Sequence, residues 1–277
     1  MPFTVSHVAA VLPARRWLRR GGLFSAAVIG SMVPDFGLLL PFPLDRDATH
    51  SAHALLSFCL PMGLIAWLLY ESLIRPAWAE VLPGGWRLRT QDADAAVQYS
   101  RPGTWVGVCL AILLGALTHL CWDAFTHEGA RGVQMLPFLD DYYGPDLVGH
   151  PLQLYRWLQL GSSVLGLLIV MIVAWRWAHD GRSLISPAEK AGSGQVRLSP
   201  TERRGWLLAY VAVPAVLLTV SLLLLGRHHH HHGWYTLGDV VAHLARVGLF
   251  GAAVSLLLVS ALIRMRVVNA ARPPLDG

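Results

Sequence analysis

The stretch from Gly115 to His127 places three side chains that can bind metal ions in an apolar run as long as a membrane helix. At about 100° per residue, His119, Asp123 and His127 lie on one face of such a helix. The rise of roughly 1.5 Å per residue separates the two histidines by about 12 Å, too far to bind one ion through bonds of about 2 Å. His119 and Asp123 can therefore bind a single metal, whereas His127 serves a second metal, an outer position or the helix end.

The composition argues against a soluble globular protein. The chain has 277 residues, of which 54% are hydrophobic and 14% charged, and its mean hydropathy is +0.47. These values are typical of a multi-pass membrane protein, whose first partner is the lipid bilayer. The net charge of +5 has a plainer cause in membrane topology than in nucleic-acid binding, so no nucleic-acid partner is expected.

Long apolar stretches predict an all-α fold, a membrane helix bundle with about six transmembrane helices. The first stretch contains Pro34, Asp35 and Gly37, and we expect it to be either a broken or a re-entrant helix. In this interpretation residues 1–277 form one membrane domain, with a cytoplasmic linker at 179–204 and a His-rich outer loop at 227–238. The stretches are 22–42, 54–75, 104–126, 157–178, 205–226 and 239–263.

Arginine lies mainly before the first stretch and after the second, fourth and sixth. The positive-inside rule then places both termini in the cytoplasm. Lys190 is the only lysine, and so strong a preference for arginine indicates a bacterial source. We therefore expect the protein in the bacterial inner membrane. Most of the histidines fall on the outer side in this topology, which gives that side the chemistry of cation binding.

Two more candidate ligands reach the same depth as the first pair. Asp35 lies about 13 residues into its stretch and His119 about 15 into its own, so both lie roughly 20 Å from the inner surface of a core about 30 Å thick. His50 precedes the second helix on the outer side and can close over the same point. With Asp123 they form a nitrogen and oxygen ligand set suited to a divalent metal, zinc above all, with manganese or iron as alternatives.

Short motifs in a fixed order carry a resemblance to a known family. They are Met1 to His7, Gly30 to Phe36, Thr49 to Ser51 and Gly115 to His127, followed less distinctively by Leu152 to Tyr155 and Gly161 to Ser163. This ordered set resembles the bacterial membrane family called domain of unknown function 4184, over most of the chain. The motifs are also similar to those of membrane-bound metal-dependent hydrolases.

The similarity to these hydrolases implies a metal site that resembles that of zinc phospholipases C. Its ligands come from an N-terminal His, a Pro-Asp, a Thr-His-Ser and a His-x-x-x-Asp. On this chain the corresponding residues are His7, Asp35, His50, His119 and Asp123. The relatives often have His-Arg-Gly before the Thr-His-Ser, where this chain has Asp45-Arg46-Asp47.

His7 raises a question of topology. If the first stretch spans the membrane with the N terminus inside, His7 lies far from the other ligands. Either the segment from Phe3 to Pro13 dips into the bundle, or the stretch from Gly30 to Pro41 is re-entrant, or His7 is not a ligand.

The function expected from these observations is that of a metal-dependent hydrolase acting on a lipid or a phosphoester at the outer side. Asp35 or a neighbouring carboxylate would orient the attacking water, and His127 or His53 would protonate the leaving group. A transporter of metal ions or protons is one alternative, although the apolar run from Val106 to Leu114 argues against a polar path. A non-catalytic protein is the other, and a closed tetrahedral metal site would favour it.

Overall fold

The computed structural model describes residues 4–19, 21–40, 44–82, 97–144, 151–180, 198–232 and 237–270. Within these ranges the fold is all-α, as predicted, except for the antiparallel pair of β1 (Tyr142–Tyr143) and β2 (Leu152–Gln153). The helices are α1 (Val8–Val11), α2 (Leu23–Gly30), α3 (Arg46–His50), α4 (Leu55–Val81), α5 (Pro102–Asp123), α6 (Arg131–Met135), α7 (Leu154–Asp180), α8 (Pro200–His232) and α9 (Leu237–Ala270).

Five helices in the described part of the chain, α4, α5, α7, α8 and α9, are long and apolar enough to cross a membrane. Their surfaces expose many large apolar side chains, as expected for helices that contact lipid. These helices make the chain a multi-pass helical membrane protein. Stretch 22–42, the first of the six predicted, does not form a continuous helix, as its proline and glycine led us to expect.

The break in stretch 22–42 has a local cause. Helix α2 covers 8 residues and ends at Gly30, and a 3₁₀ turn follows from Val33 to Leu39 with Pro34 near its start. Eight residues extend only about 12 Å, well short of a hydrocarbon core of about 30 Å. Proline lacks the amide hydrogen that would continue the helix, so the chain turns here instead of spanning.

The described residues belong to two compact units. The first comprises Met1–Gly37, Leu44–Trp67 and Ala93–Arg176, and it contains every candidate ligand. The second comprises Leu38–Pro43, Leu68–Asp92 and Trp177–Gly277.

Two glycines bring α2 and α5 into backbone contact in the first unit. A Cβ atom on Gly115 would overlap the carbonyl oxygen of Ala27, and one on Gly30 would overlap that of Ile112. Small residues of this kind let membrane helices approach closely. The buried Trp67 of α4 adds a further tie, because its indole donates to the carbonyl of Gly22 over 3.0 Å. This packing sets the end of α2 beside the last turns of α5.

In the second unit, α8 and α9 pack along their lengths and are joined by polar side chains. Tyr210 and Ser260 share a hydrogen bond of 2.8 Å, and Ser221 lies 2.7 Å from Nε2 of His243. Hydrogen bonds between helices stabilise membrane bundles by about 1 kcal/mol each. The apolar core of this unit consists of Ala77, Val81, Leu198, Val259 and Ile263.

Parts of the predicted polar segments lie outside the described residues. Of the linker predicted at 179–204, residues 181–197 are not described, and the rest ends α7, precedes α8 or begins it. Of the His-rich segment 227–238, the backbone is helical through His232 and again from Leu237, and 233–236 are not described.

Candidate metal centre

The predicted ligands come from four separate elements of the first unit. His7 ends the 3₁₀ turn Thr4–His7, and Asp35 lies in the turn Val33–Leu39. His50 is the last residue of α3, while His119 and Asp123 lie one turn apart near the end of α5. Their ligand atoms form two groups, and within each group these atoms lie within 4.8 Å of one another. The first group is His7, His119 and Asp123, and the second is Asp35, His50 and His119.

The separations between donor atoms suit a single small cation. Nε2 of His7 lies 3.6 Å from Oδ1 of Asp123, and Nε2 of His119 lies 3.6 Å from Oδ2 of the same carboxylate. Oδ1 of Asp35 lies 3.4 Å from Nε2 of His50 and 3.8 Å from Nε2 of His119. Atoms bound to one zinc ion at about 2.1 Å in tetrahedral geometry lie roughly 3.4 Å apart.

The donor atoms at this point are buried and without hydrogen-bond partners. They are Nε2 of His7, His50 and His119 together with Oδ1 of Asp123, and the described residues offer them no partner. A buried polar atom left unpaired costs a few kcal/mol, so native structures seldom keep one. Four that face the same point fit a cation that binds them all.

The hydrogen bonds of two histidines leave Nε2 free to bind a metal. Nδ1 of His119 lies 2.8 Å from the carbonyl oxygen of Ser31, and because a carbonyl only accepts, Nδ1 carries the proton. The hydroxyl of Thr49 donates to the carbonyl of Arg46 and lies 2.7 Å from Nδ1 of His50. With the Thr49 proton directed to that carbonyl, Nδ1 of His50 donates to the hydroxyl oxygen, which is the tautomer that metal binding through Nε2 requires. Such outer hydrogen bonds are typical of metal-binding histidines.

His7 reaches the cluster, and the broken first stretch explains how. The N terminus is not held a membrane thickness away, and the turn Thr4–His7 with α1 lies within the first unit, in contact with α5. The rings of His7 and His119 stack with centroids 3.8 Å apart. Burial, with the nearby His119, lowers the pKa of His7 to about 4. The ring is therefore neutral at pH 7, the form that binds metals.

One carboxylate oxygen of Asp35 faces the cluster, and the other accepts a hydrogen bond from outside it. The hydroxyl of Thr4 donates to Oδ2 over 2.8 Å, which leaves Oδ1 facing His50 and His119. Burial works against ionisation of this carboxyl, but the neighbouring His50 and His119 and the Thr4 hydroxyl hold its pKa below the usual value. Asp35 is thus a carboxylate at neutral pH.

His127 lies beside the cluster and not within it, as its axial distance from His119 predicted. Its Nδ1 is 3.5 Å from Oδ2 of Asp123, and its Nε2 lies 3.0 Å from the side-chain amide of Gln159. Burial lowers the pKa of His127 to about 4, so the ring is neutral at pH 7. The contact orients Asp123. The role of proton donor expected for His127 stays a prediction.

His53 does not join the converging side chains. It is exposed, and in the described structure its backbone carbonyl accepts hydrogen bonds from the next turn of α4. Its expected role in proton transfer also stays a prediction.

Arg46 is a member of the site that reasoning from the residues did not propose. Its guanidinium donates to Oδ2 of Asp123 over 2.9 Å, while its side chain remains 44% exposed. The available signal was its position, three residues before the Thr-His-Ser motif in a short outer loop with little other basic charge. Thr4 and Gln159 were missed too, and only the position of Thr4 in the N-terminal motif pointed to it.

Fold and site together define a multi-pass helical membrane protein with a candidate metal centre of three histidines and two aspartates at the end of one span. The chain belongs to the family described as Domain of unknown function (DUF4184), whose profile matches residues 1–263. Neither the curated proteins nor the solved structures include a significant match to it.

Proposed function

We propose that this protein is a metal-dependent hydrolase of the membrane. The observation that carries the proposal is the grouping of four buried, unpaired donor atoms in two overlapping sets of ligands that share His119. His7, His50 and His119 would hold a divalent cation through Nε2, and Asp35 and Asp123 through carboxylate oxygens. Imidazole and carboxylate ligands favour zinc, with manganese and iron as alternatives.

When bound, the cation would supply Lewis-acid activation of water and of a phosphoryl or acyl oxygen. The side chains around it have separable roles. Asp35, fixed at Oδ2 by Thr4, would bind the cation at Oδ1 and so set the position of the attacking water. Asp123 is fixed by Arg46 and His127. The leaving group would take its proton from His53, because the lowered pKa of His127 leaves that ring without the acidic proton at pH 7.

The place of the centre along the chain favours an amphiphilic substrate. Asp123 is the last residue of a candidate span, and His50 lies shortly before the start of α4. Ends of spanning helices lie near the boundary between lipid and water, where the ester bonds of lipids and lipid-linked phosphates also lie. We further propose the bacterial inner membrane as the location. The arginines after the second, fourth and sixth stretches put the centre on the outer side. With five spans, the C terminus would then lie in the cytoplasm and the N terminus, which reaches the centre, on the outer side.

Transport has less support. The buried residues of α5 before His119 are Val108, Ala111, Ile112, Gly115 and Ala116, none with a polar side chain. A purely structural metal site is the remaining alternative. The partial exposure of Asp35 and His50, at 13% and 11%, supports a site that a substrate can enter.

The test begins with metal content. Protein purified in detergent is expected to hold about one zinc more per chain than His119→Ala; His179→Ala, which removes an exposed histidine at the end of α7, should keep the wild-type value. The run from His228 to His232 can bind metal unspecifically, but it is present in all three proteins, so the differences report the centre. Equal metal in wild type and His119→Ala would overturn the proposal.

The second measurement is hydrolysis of bis-(p-nitrophenyl) phosphate and of p-nitrophenyl acetate. We expect at least one of them to be hydrolysed, with activity lost on chelation, restored by zinc and reduced at least about 100-fold in His119→Ala. Stoichiometric metal with no hydrolysis of either ester or of short-chain phospholipids would instead support a structural site.

A further inference from the structure

The guanidinium of Arg46 lies between the candidate metal centre and solvent. It contacts Oδ2 of Asp123 at 2.9 Å, yet it is 44% exposed while the Asp123 side chain is 5% exposed. Arginine carries five N–H donors in a fixed fork, and Asp123 is the one acceptor that Arg46 contacts in the described structure. The remaining donors are therefore available at the accessible side of the centre.

The charge of the centre makes this position informative. With neutral imidazoles, the two carboxylates balance a divalent cation, and Arg46 leaves one positive charge in excess. A positive charge beside a partly buried metal site attracts anions, and the planar guanidinium matches the paired oxygens of phosphate or carboxylate. Beyond its bond to Asp123, this cation would serve a centre whose substrate is anionic.

Arg46 and the candidate ligand His50 are positioned by the same short helix. Arg46 begins α3 and His50 ends it, and the carbonyl of Arg46 accepts from the Thr49 hydroxyl that contacts the His50 ring. The guanidinium and the His50 donor atom thus belong to one five-residue helix. A group of the substrate bound by Arg46 would have a defined distance to the metal.

We propose that Arg46 is the anion-binding residue of the centre, and that the substrate carries a phosphate group that Arg46 and the metal hold together. This inference rests on the proposed function and narrows its substrate to anionic phosphoesters. The phosphate belongs either to a lipid headgroup or to a soluble ester, and the chemistry of recognition is the same for both.

The test measures binding of inorganic phosphate and of dihexanoyl phosphatidic acid to manganese-loaded full-length protein by ³¹P relaxation. In Arg46→Gln we expect stoichiometric metal and at least about a tenfold weaker binding of both anions, because a charge-assisted hydrogen bond is lost. Arg46→Lys keeps the charge but lacks the forked donors, so its affinity for the anions should lie between those of the wild type and Arg46→Gln. The matched control is Arg156→Gln, since Arg156 is 41% exposed and paired with Glu128, which is not a candidate ligand.

The outcomes separate this inference from the hydrolase proposal. Metal retained with unchanged phosphate affinity in Arg46→Gln overturns the role of Arg46 alone. Metal lost in Arg46→Gln also overturns it, because the residue then only holds Asp123. A wild-type protein that takes up no metal overturns the hydrolase proposal itself. If the inference holds, tighter binding of dihexanoyl phosphatidic acid than of inorganic phosphate indicates a lipid substrate. Equal or tighter binding of inorganic phosphate indicates a water-soluble phosphoester.

Discussion

The imidazole rings of His7 and His119 lie parallel, with centroids 3.8 Å apart and an interplanar angle of 17°. Two such rings cannot both be positively charged at this distance without strong repulsion. Their Nε2 atoms are both buried and unpaired in the described structure. The pair fits the proposed centre, in which both rings would bind the cation as neutral imidazoles.

Replacing His7 tests whether the N-terminal turn supplies a ligand. In His7→Ala we expect zinc affinity to fall by more than about 100-fold, since loss of a ligand exceeds the 10- to 100-fold cost of losing an outer contact. Competition with a chromogenic chelator measures this. His53→Ala, which removes an exposed histidine outside the cluster, serves as the control for zinc affinity. Equal affinities in the two variants would remove His7 from the ligand set.

Replacing Thr49 tests the hydrogen bond that orients His50. Thr49→Val keeps the volume but loses the hydroxyl 2.7 Å from Nδ1 of His50, and zinc affinity should fall by about tenfold or more. Thr219→Val provides the comparison, because Thr219 is exposed on α8 and bonds only the carbonyl of Ala215 within the described residues. An unchanged affinity in Thr49→Val would show that the ring is oriented without this bond.

The backbone contact between α2 and α5 predicts a position where even one methyl group is harmful. Gly115→Ala places a Cβ against the carbonyl of Ala27, and overpacking of this kind typically costs about 1–3 kcal/mol. The midpoint temperature of unfolding should fall because of this overlap. The zinc affinity should fall too, because Ser31 would move away from His119. Gly161→Ala on α7 is the control, since its Cβ meets nothing within 4 Å and alanine favours helix. A Gly115→Ala protein as stable as the control would contradict the close packing.

Metal removal should destabilise the first unit. Zinc at about 100 times its dissociation constant would stabilise the folded protein by about 2.7 kcal/mol, provided that the unfolded chain does not bind it. The midpoint of thermal unfolding should thus fall on chelation and recover when zinc is added. His119→Ala should show no such response. A zinc-dependent shift that persists in this variant would instead point to other histidines, such as the run from His228 to His232.

Local geometry made part of the site predictable. The spacing of His119 and Asp123 by one helical turn pairs them on any helix, and the axial rise alone separates His127 from the ligands. Asp35 and His50 were also identified, but by a depth estimate that assumed a continuous first helix. Asp35 reaches the centre by another route, on a turn that follows the short helix α2 packed against α5.

Long-range contacts account for what the residues alone did not indicate. His7 entered the ligand set through a family resemblance, since its own surroundings in the sequence do not relate it to α5. The contact between Arg46 and Asp123 joins residues 77 positions apart, and no periodic pattern indicates such a pair. The break in the first apolar stretch, by contrast, was predictable, because Pro34 marks a place where a helix cannot continue.

The carbonyl that holds His119 belongs to Ser31, 88 residues earlier in the chain. During translation, His7, Asp35 and His50 are therefore synthesised before α5, the helix that carries the other two candidate ligands. The centre cannot form until translation has passed Asp123, and the N-terminal segment has to await that helix with its ligand side chains unpaired. Loading of the proposed metal would accordingly have to follow the synthesis of α5, and a chain truncated before α5 would be unable to acquire it.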